Sequence, residues 1–172
     1  AKTRVVAQQV AGCLGLFVAE LPQKSDYRLH WQGHGAEWEG EDPFAFGPVL
    51  GELDEYLLGE GRHKRLWQVL GAHVIEHEGH QGTHFAVWAP NAERVSVVGD
   101  FNQWDGRRHP MRRRGGTGVW ETFLPAIGEG ASYRYELRGP QGALLPLKSD
   151  PVGFGSEHAP ANASVVRRID NA

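Results

Sequence analysis

One series of elements occurs twice in this chain, and the repetition limits the possible folds more than any other feature. Asp-Pro-Phe-Ala-Phe-Gly stands at Asp42 to Gly47, and Asp-Pro-Val-Gly-Phe-Gly at Asp150 to Gly155. The stretches before each copy also correspond. LFVAELP (16–22) resembles VWETFLP (119–125), and DYRLHWQG (26–33) resembles SYRYELRG (132–139). AEWEGEDPFAFGP (36–48) matches ALLPLKSDPVGFG (143–155). Repetition at this scale means two domains of one architecture. The first copy is short: only Ala1 to Gly15 precede LFVAELP, where the later copy spends about 35 residues on earlier strands. The expectation is a chain that begins inside its first domain, since a half-sandwich exposes a sheet face and an edge.

The later copy reads as short strands separated by Gly/Pro turns, the pattern of an antiparallel β-sandwich. THFAVWAP (83–90) is apolar on both faces, and RVSVVGDF (94–101) puts Val95 and Val97 on one face. In VWETFLP, Trp120, Thr122 and Leu124 oppose Val119, Glu121 and Phe123. In SYRYELRG, Tyr133, Tyr135 and Leu137 oppose Arg134, Glu136 and Arg138. ALLPL (143–147) and NASVVRRI (162–169) complete the set. Between the copies the period becomes helical, with Leu50, Leu53 and Leu57 on one face, then Leu66, Val69 and Leu70, and Gly71 as a cap. The predicted fold is all-β: two immunoglobulin-like β-sandwich domains, the first truncated, joined by a short helical connector. The boundaries are 1–48 for the first sandwich, 49–72 for the connector and 73–169 for the second sandwich. Residues 170–172 are read as the start of a link onward.

Several chemistries find no support. There is no glycine-rich phosphate loop, no nucleophile elbow and no pair of carboxylates at strand ends. The single cysteine, Cys13, has no obvious basic partner and reads as a buried or incidental thiol. It permits no disulfide framework, which fits a reducing compartment. VAGCLGLFVA (10–19) is too short to span a bilayer and lacks a cleavage pattern, so no membrane association is expected. Asp42 and Asp150 each precede proline, which favours turn initiation over catalysis. His73, His77, His80 and His84 have a spacing of three to four that could hold a metal on a helix. Gly79 and Gly82 interrupt such a helix, so the stretch reads as a solvated loop entering a strand at Phe85, with no metal. RRHPMRRR (107–114) is the strongest basic run. It reads as a charged hairpin loop and not a nucleic-acid site, because no aromatic stacking platform accompanies it and the net charge is −3.

Trp104 stands apart. Trp88 and Trp120 are embedded in apolar alternation, as core tryptophans are, whereas Trp104 sits in a polar turn with Asn102, Gln103 and Asp105. An indole there could be a platform for a sugar, whose ring has a C–H face and a hydroxyl rim. It could equally fold back as a lid on the sandwich.

With FAVWAPNAERVSVVGDFNQWDGRRHPM, then GVWETFLP, YRYELRG and LPLKSDP, the chain resembles the N-terminal region of bacterial 1,4-α-glucan (glycogen) branching enzymes. FGPVLGELDEYLLGEGRHKRLWQVLGAH (46–73) is similar to the segment joining their two N-terminal domains, and the match runs from Leu16 to Val166. Val-Trp-Ala-Pro and Phe-Asn-x-Trp alone also occur in debranching enzymes and in glycogen-targeting subunits of kinases. The resemblance implies a non-catalytic module that precedes a (β/α)8 barrel in a cytoplasmic, monomeric parent. That barrel cleaves an α-1,4 bond by retaining two-carboxylate chemistry and forms α-1,6 branches. The 172 residues hold none of the barrel motifs, so no catalytic residue and no cofactor is carried over. The implied partners are α-1,4-glucan or glycogen and the barrel of the same parent. Family modules grip sugar with the tryptophan of the Phe-Asn-x-Trp turn, here Trp104. They add a basic residue of the Tyr-Lys/Arg strand, here Arg134, and a polar residue before the last strand, for which Asn162 is nearest. The second tryptophan of kinase-type modules is missing from QGALLPL (141–147). The rival expectations are a stand-alone glucan-targeting protein and a structural module without sugar affinity.

Overall fold

The computed structural model describes residues 4–11, 17–23, 27–33, 35–42, 44–158 and 160–168. Cys13 and positions 170–172 lie outside the described residues. The chain divides into two compact units, Ala1–Asp42 and Pro43–Ala172.

In the first unit, β1 (Gln8–Gln9) pairs antiparallel with β2 (Phe17–Val18). β3 (Leu29–Gly33) pairs antiparallel with β4 (Ala36–Gly40), with Trp31 opposite Trp38. These two strand pairs are its regular structure among the described residues. The Tyr27 hydroxyl donates to Asp42 Oδ2 at 2.5 Å, which raises the Tyr27 pKa to about 12.

The second unit begins with two helices, α1 (Glu52–Gly59) and α2 (Leu66–Val69). The strands follow: β5 (Gly71–His77), β6 (His80–Trp88), β7 (Arg94–Gly99), β8 (Arg112–Arg113), β9 (Val119–Pro125), β10 (Ser132–Arg138) and β11 (Ser164–Val165). They form an antiparallel sheet of order β5-β6-β9-β8 and another of order β11-β10-β7. The inner rows read from the alternation meet between the sheets. Phe85, Val87, Trp120 and Leu124 pack against Val95, Val97, Tyr133, Tyr135 and Val166. Burial of apolar surface at about 25 cal/mol per Å² makes this cluster the main source of stability. Asp150 is buried beside it. Its Oδ1 accepts from the Val152 amide at 2.9 Å, the turn role expected of Asp-Pro. Its Oδ2 accepts from the Tyr133 and Tyr135 hydroxyls at 2.8 and 3.1 Å. The Tyr27 hydroxyl bonds the Asp of the earlier Asp-Pro, Asp42, in the same way.

Four readings of the sequence are corrected. The histidine stretch is a hairpin of β5 and β6, not a loop. Glu78 and Gly79 turn it with φ of 49° and 80°, the left-handed pair of a tight hairpin, and His73 opposes His84. The helices, read as a connector between two sandwiches, group with the second unit: Leu50, Val69 and Leu70 are buried against Ala86 and Val119, with Leu58 alongside. Leu50 precedes α1, so the buried side carries Leu50 and Leu58, while Leu53 is exposed. Trp88 is exposed, because it ends β6 on the outward row, past the cover the helices give Ala86. ALLPL forms only one isolated bridge to β10, Arg138–Leu144, with a second just after it at Tyr135–Lys148, and the final strand shrinks to Ser164–Val165.

Candidate functional site

At the end of β7 the chain tightens into a 3-10 turn, Asp100–Asn102, followed by Gln103 and Trp104 with φ of 54° and 59°. Two consecutive left-handed side-chain-bearing residues are uncommon and need outside support. Asn102 supplies it from a buried position. Its Oδ1 accepts from the Gly99 amide at 3.0 Å, and its Nδ2 donates to Val97 O at 2.9 Å and to His109 Nδ1 at 2.8 Å. Burial, then the nearby Arg108 charge, lowers the His109 pKa to about 4, so the ring stays neutral and accepts. A Cβ at Gly99 would stand 2.4 Å from Ser132 O and 2.5 Å from the Phe101 ring. No side chain fits there. The Trp104 amide donates to Gly99 O at 2.9 Å, and Trp104 Nε1 to Asp100 Oδ1 at 2.8 Å. Backbone and indole are both held, with the ring half-buried at the surface.

Arg134 rises from the outer row of β10, as alternation requires. Its guanidinium lies over the Trp104 ring, 5.9 Å from the centroid, and its Nη2 donates to Asn162 Oδ1. The structure thus brings Trp104, Arg134 and Asn162 together. Asn162 precedes β11, and its backbone O accepts from Ser149 Oγ at 2.5 Å. At the rim, Asp105 pairs with Arg107 at 2.8 Å. The Arg107 hydrogen bonds lower the Asp105 pKa to about 2. Arg108 donates to Gln103 Oε1. The result is a fixed aromatic face with a guanidinium, an amide and a carboxylate around it. It suits a neutral polyhydroxylated ring better than an anion, because Asp100 and Asp105 offset the arginines.

Asp100 and Asn102 build the turn; the sequence reading takes Asn102 only as a polar neighbour of Trp104 and does not single out Asp100. Their signal is the Gly-Asp-Phe-Asn string before a loop tryptophan, where short polar side chains can hold a turn. The other stretches are used structurally. Arg112 and Arg114 of the basic run donate to Phe46 O and Leu50 O, and Arg114 pairs with Glu55 and Glu121. The histidines bond to Leu70 O, Gly47 O, Glu78 O and Glu121. Among the described residues no three His, Cys, Asp or Glu side chains are grouped to hold a metal ion. No helix is long and apolar enough to cross a membrane.

A two-sheet β-sandwich that presents a fixed indole with hydrogen-bonding neighbours has the form of a carbohydrate-binding module. Residues 69–153 match the family model of carbohydrate-binding module 48, the isoamylase N-terminal domain. Over 159 residues, 91% of its length, the chain is 62% identical to the 1,4-alpha-glucan branching enzyme GlgB of Roseobacter denitrificans. Over 163 residues, 94% of its length, it is 59% identical to GlgB of Cereibacter sphaeroides. It spans 22% of each of these relatives. Among solved structures, ligand-free PulA of Klebsiella pneumoniae aligns over 57% of this chain and 9% of its own, at 27% identity and a TM-score of 0.45.

Proposed function

We propose that this chain is the N-terminal, non-catalytic part of a cytoplasmic glycogen branching enzyme, and that it holds α-1,4-glucan at Trp104, Arg134 and Asn162. The meeting of these three side chains on one outer surface carries the reading; similarity to GlgB supplies the glucan. A glucose ring stacks its C–H face on the indole of Trp104. Hydroxyls of the ring and its neighbour then bond the guanidinium and the Asn162 amide. One stack contributes about 0.5–1.5 kcal/mol beyond area burial, and each hydrogen bond about 1 kcal/mol. The sum corresponds to roughly millimolar affinity. On a polymer such a site still works, because tethering raises the effective concentration of chain ends near the catalytic barrel of the same polypeptide. Calorimetric titration with maltoheptaose tests this: the 172-residue chain binds, and Trp104→Ala does not. Equal binding by both proteins, or binding by neither, removes the site.

A further inference from the structure

The outer row of the three-stranded sheet continues past Arg134 to a second pair of guanidiniums. With Tyr133, Tyr135 and Leu137 turned to the core, β10 sets Arg134, Glu136 and Arg138 on the outer face. With Val95 and Val97 turned inward, β7 sets Arg94 there too. The register places Arg138 directly opposite Arg94. Like charges opposed across two strands are destabilising, so the pairing calls for a counter-charge. The chain supplies none: among the described residues no ion pair involves either arginine. Glu136, on the same row, lies against Gly106 instead, where a Cβ would stand 2.3 Å from its Oε1. Glu93, next to Arg94, is exposed. Each guanidinium has one neutral acceptor. Arg94 Nη2 donates to Gly106 O at 2.6 Å, and Arg138 Nη1 to Gly142 O at 3.4 Å. The Nε of both arginines is buried without a partner. Both side chains are half-buried, where solvent screens charge less.

We propose that Arg94 and Arg138 form a subsite for a phosphate monoester. Two adjacent guanidinium forks suit a group with three oxygens and nearly two negative charges, and charge-assisted bonds of this kind are the strong ones. A carboxylate fills one fork only. Arg138 stands four residues from Arg134 along β10, about 13 Å at the rise of a strand. The Gly106 carbonyl that takes Arg94 belongs to the loop that carries Trp104. The two places therefore lie in line on one face. On the glucan reading given above, on which this step rests, the subsite takes a phosphate group borne by the chain that lies on Trp104. A free sugar phosphate offers the same chemistry, and the test separates the two sources.

Thermal unfolding of the 172-residue chain in excess sodium phosphate, against sodium chloride of equal ionic strength, reads the anion alone. Phosphate raises the Tm by about 2 °C or more. Arg138→Gln removes the rise, and Arg138→Lys, which keeps the charge without the fork, retains only part of it. An equal rise in all three proteins, or none in the unaltered chain, overturns the proposal. Calorimetry then identifies the carrier. Phosphorylated maltodextrin binds about tenfold more tightly than maltoheptaose, and Arg138→Gln brings the two level with maltoheptaose affinity unchanged. If the phosphate on maltodextrin adds nothing while glucose 6-phosphate binds and Arg138→Gln abolishes it, the subsite stands with a free sugar phosphate as its ligand. Failure of maltoheptaose to bind removes the glucan reading, while the phosphate arm still reports on the two arginines.

Discussion

Between Gly99 and Asp105 a polar turn is bent past what its residues prefer, and Asn102 is the side chain that holds it. Asn102→Ala leaves the Gly99 amide and His109 Nδ1 without partners in a buried place. It is expected to cost about 1–3 kcal/mol in urea unfolding and to abolish maltoheptaose binding in the same preparation. Arg134→Lys keeps the charge but loses the flat fork that lies on the indole and reaches Asn162 together. Its maltoheptaose affinity is expected to fall severalfold with the unfolding midpoint unchanged. The loop position of Trp104 and the outer-row place of Arg134 were legible in the sequence, whereas Asn162 entered only as the nearest candidate under the family resemblance. Asn102 and Asp100 were not legible, because their roles exist only once the backbone curls. Trp88 misled for a related reason. Alternation gives the side of a sheet a residue occupies, not whether anything covers that side.

Among the elements, the segment 49–55 is tied to β9 by one carboxylate. Glu121 Oε2 accepts from the Val49 and Leu50 amides at 3.1 and 3.0 Å and from His84 Nε2 at 2.8 Å, while Arg114 Nε lies 3.1 Å from Oε1. Burial acts to raise the Glu121 pKa, but His84, the Leu50 amide and Arg114 overcome it and hold it low. Glu121→Ala strips these partners, leaves Arg114 without its buried counter-charge and is expected to cost about 3–5 kcal/mol. Exchange of the Val49 and Leu50 amides should rise more than that of β7 and β10. The alternation in VWETFLP placed Glu121 on the outer row correctly. What it could not carry was the identity of the cover, since α1 and α2 reach that row from about 50 to 70 residues earlier in the chain. β5 was missed because histidine and glutamate are weak strand formers, and the hairpin owes its existence to the Glu78–Gly79 turn and the cover on its outer face.

The molecule as a whole should be sensitive to acid. His109 and His84 are held neutral chiefly by burial, so the unfolded chain binds more protons than the folded one once pH falls below about 6.5. Stability is full above that value and is lost on the way down to about 4, where folded His109 titrates. Glu121 and Asp105, both held low, act in the same direction at lower pH. Burial of Asp150 raises its pKa and works against them. Denaturation between pH 7.5 and 4.5 should show a falling midpoint, and His109→Gln should flatten it by up to about 3 kcal/mol. Both core clusters draw only on residues from Leu50 to Val166, so a fragment of residues 43–172 is expected to unfold in one cooperative calorimetric transition. One end of the larger sheet has a further effect. β8, its outermost strand on that side, is two arginines long. A stray strand would find almost no ladder to extend there, and two positive charges in its way. Copies of this chain held at high concentration therefore gain little by zipping together along that border.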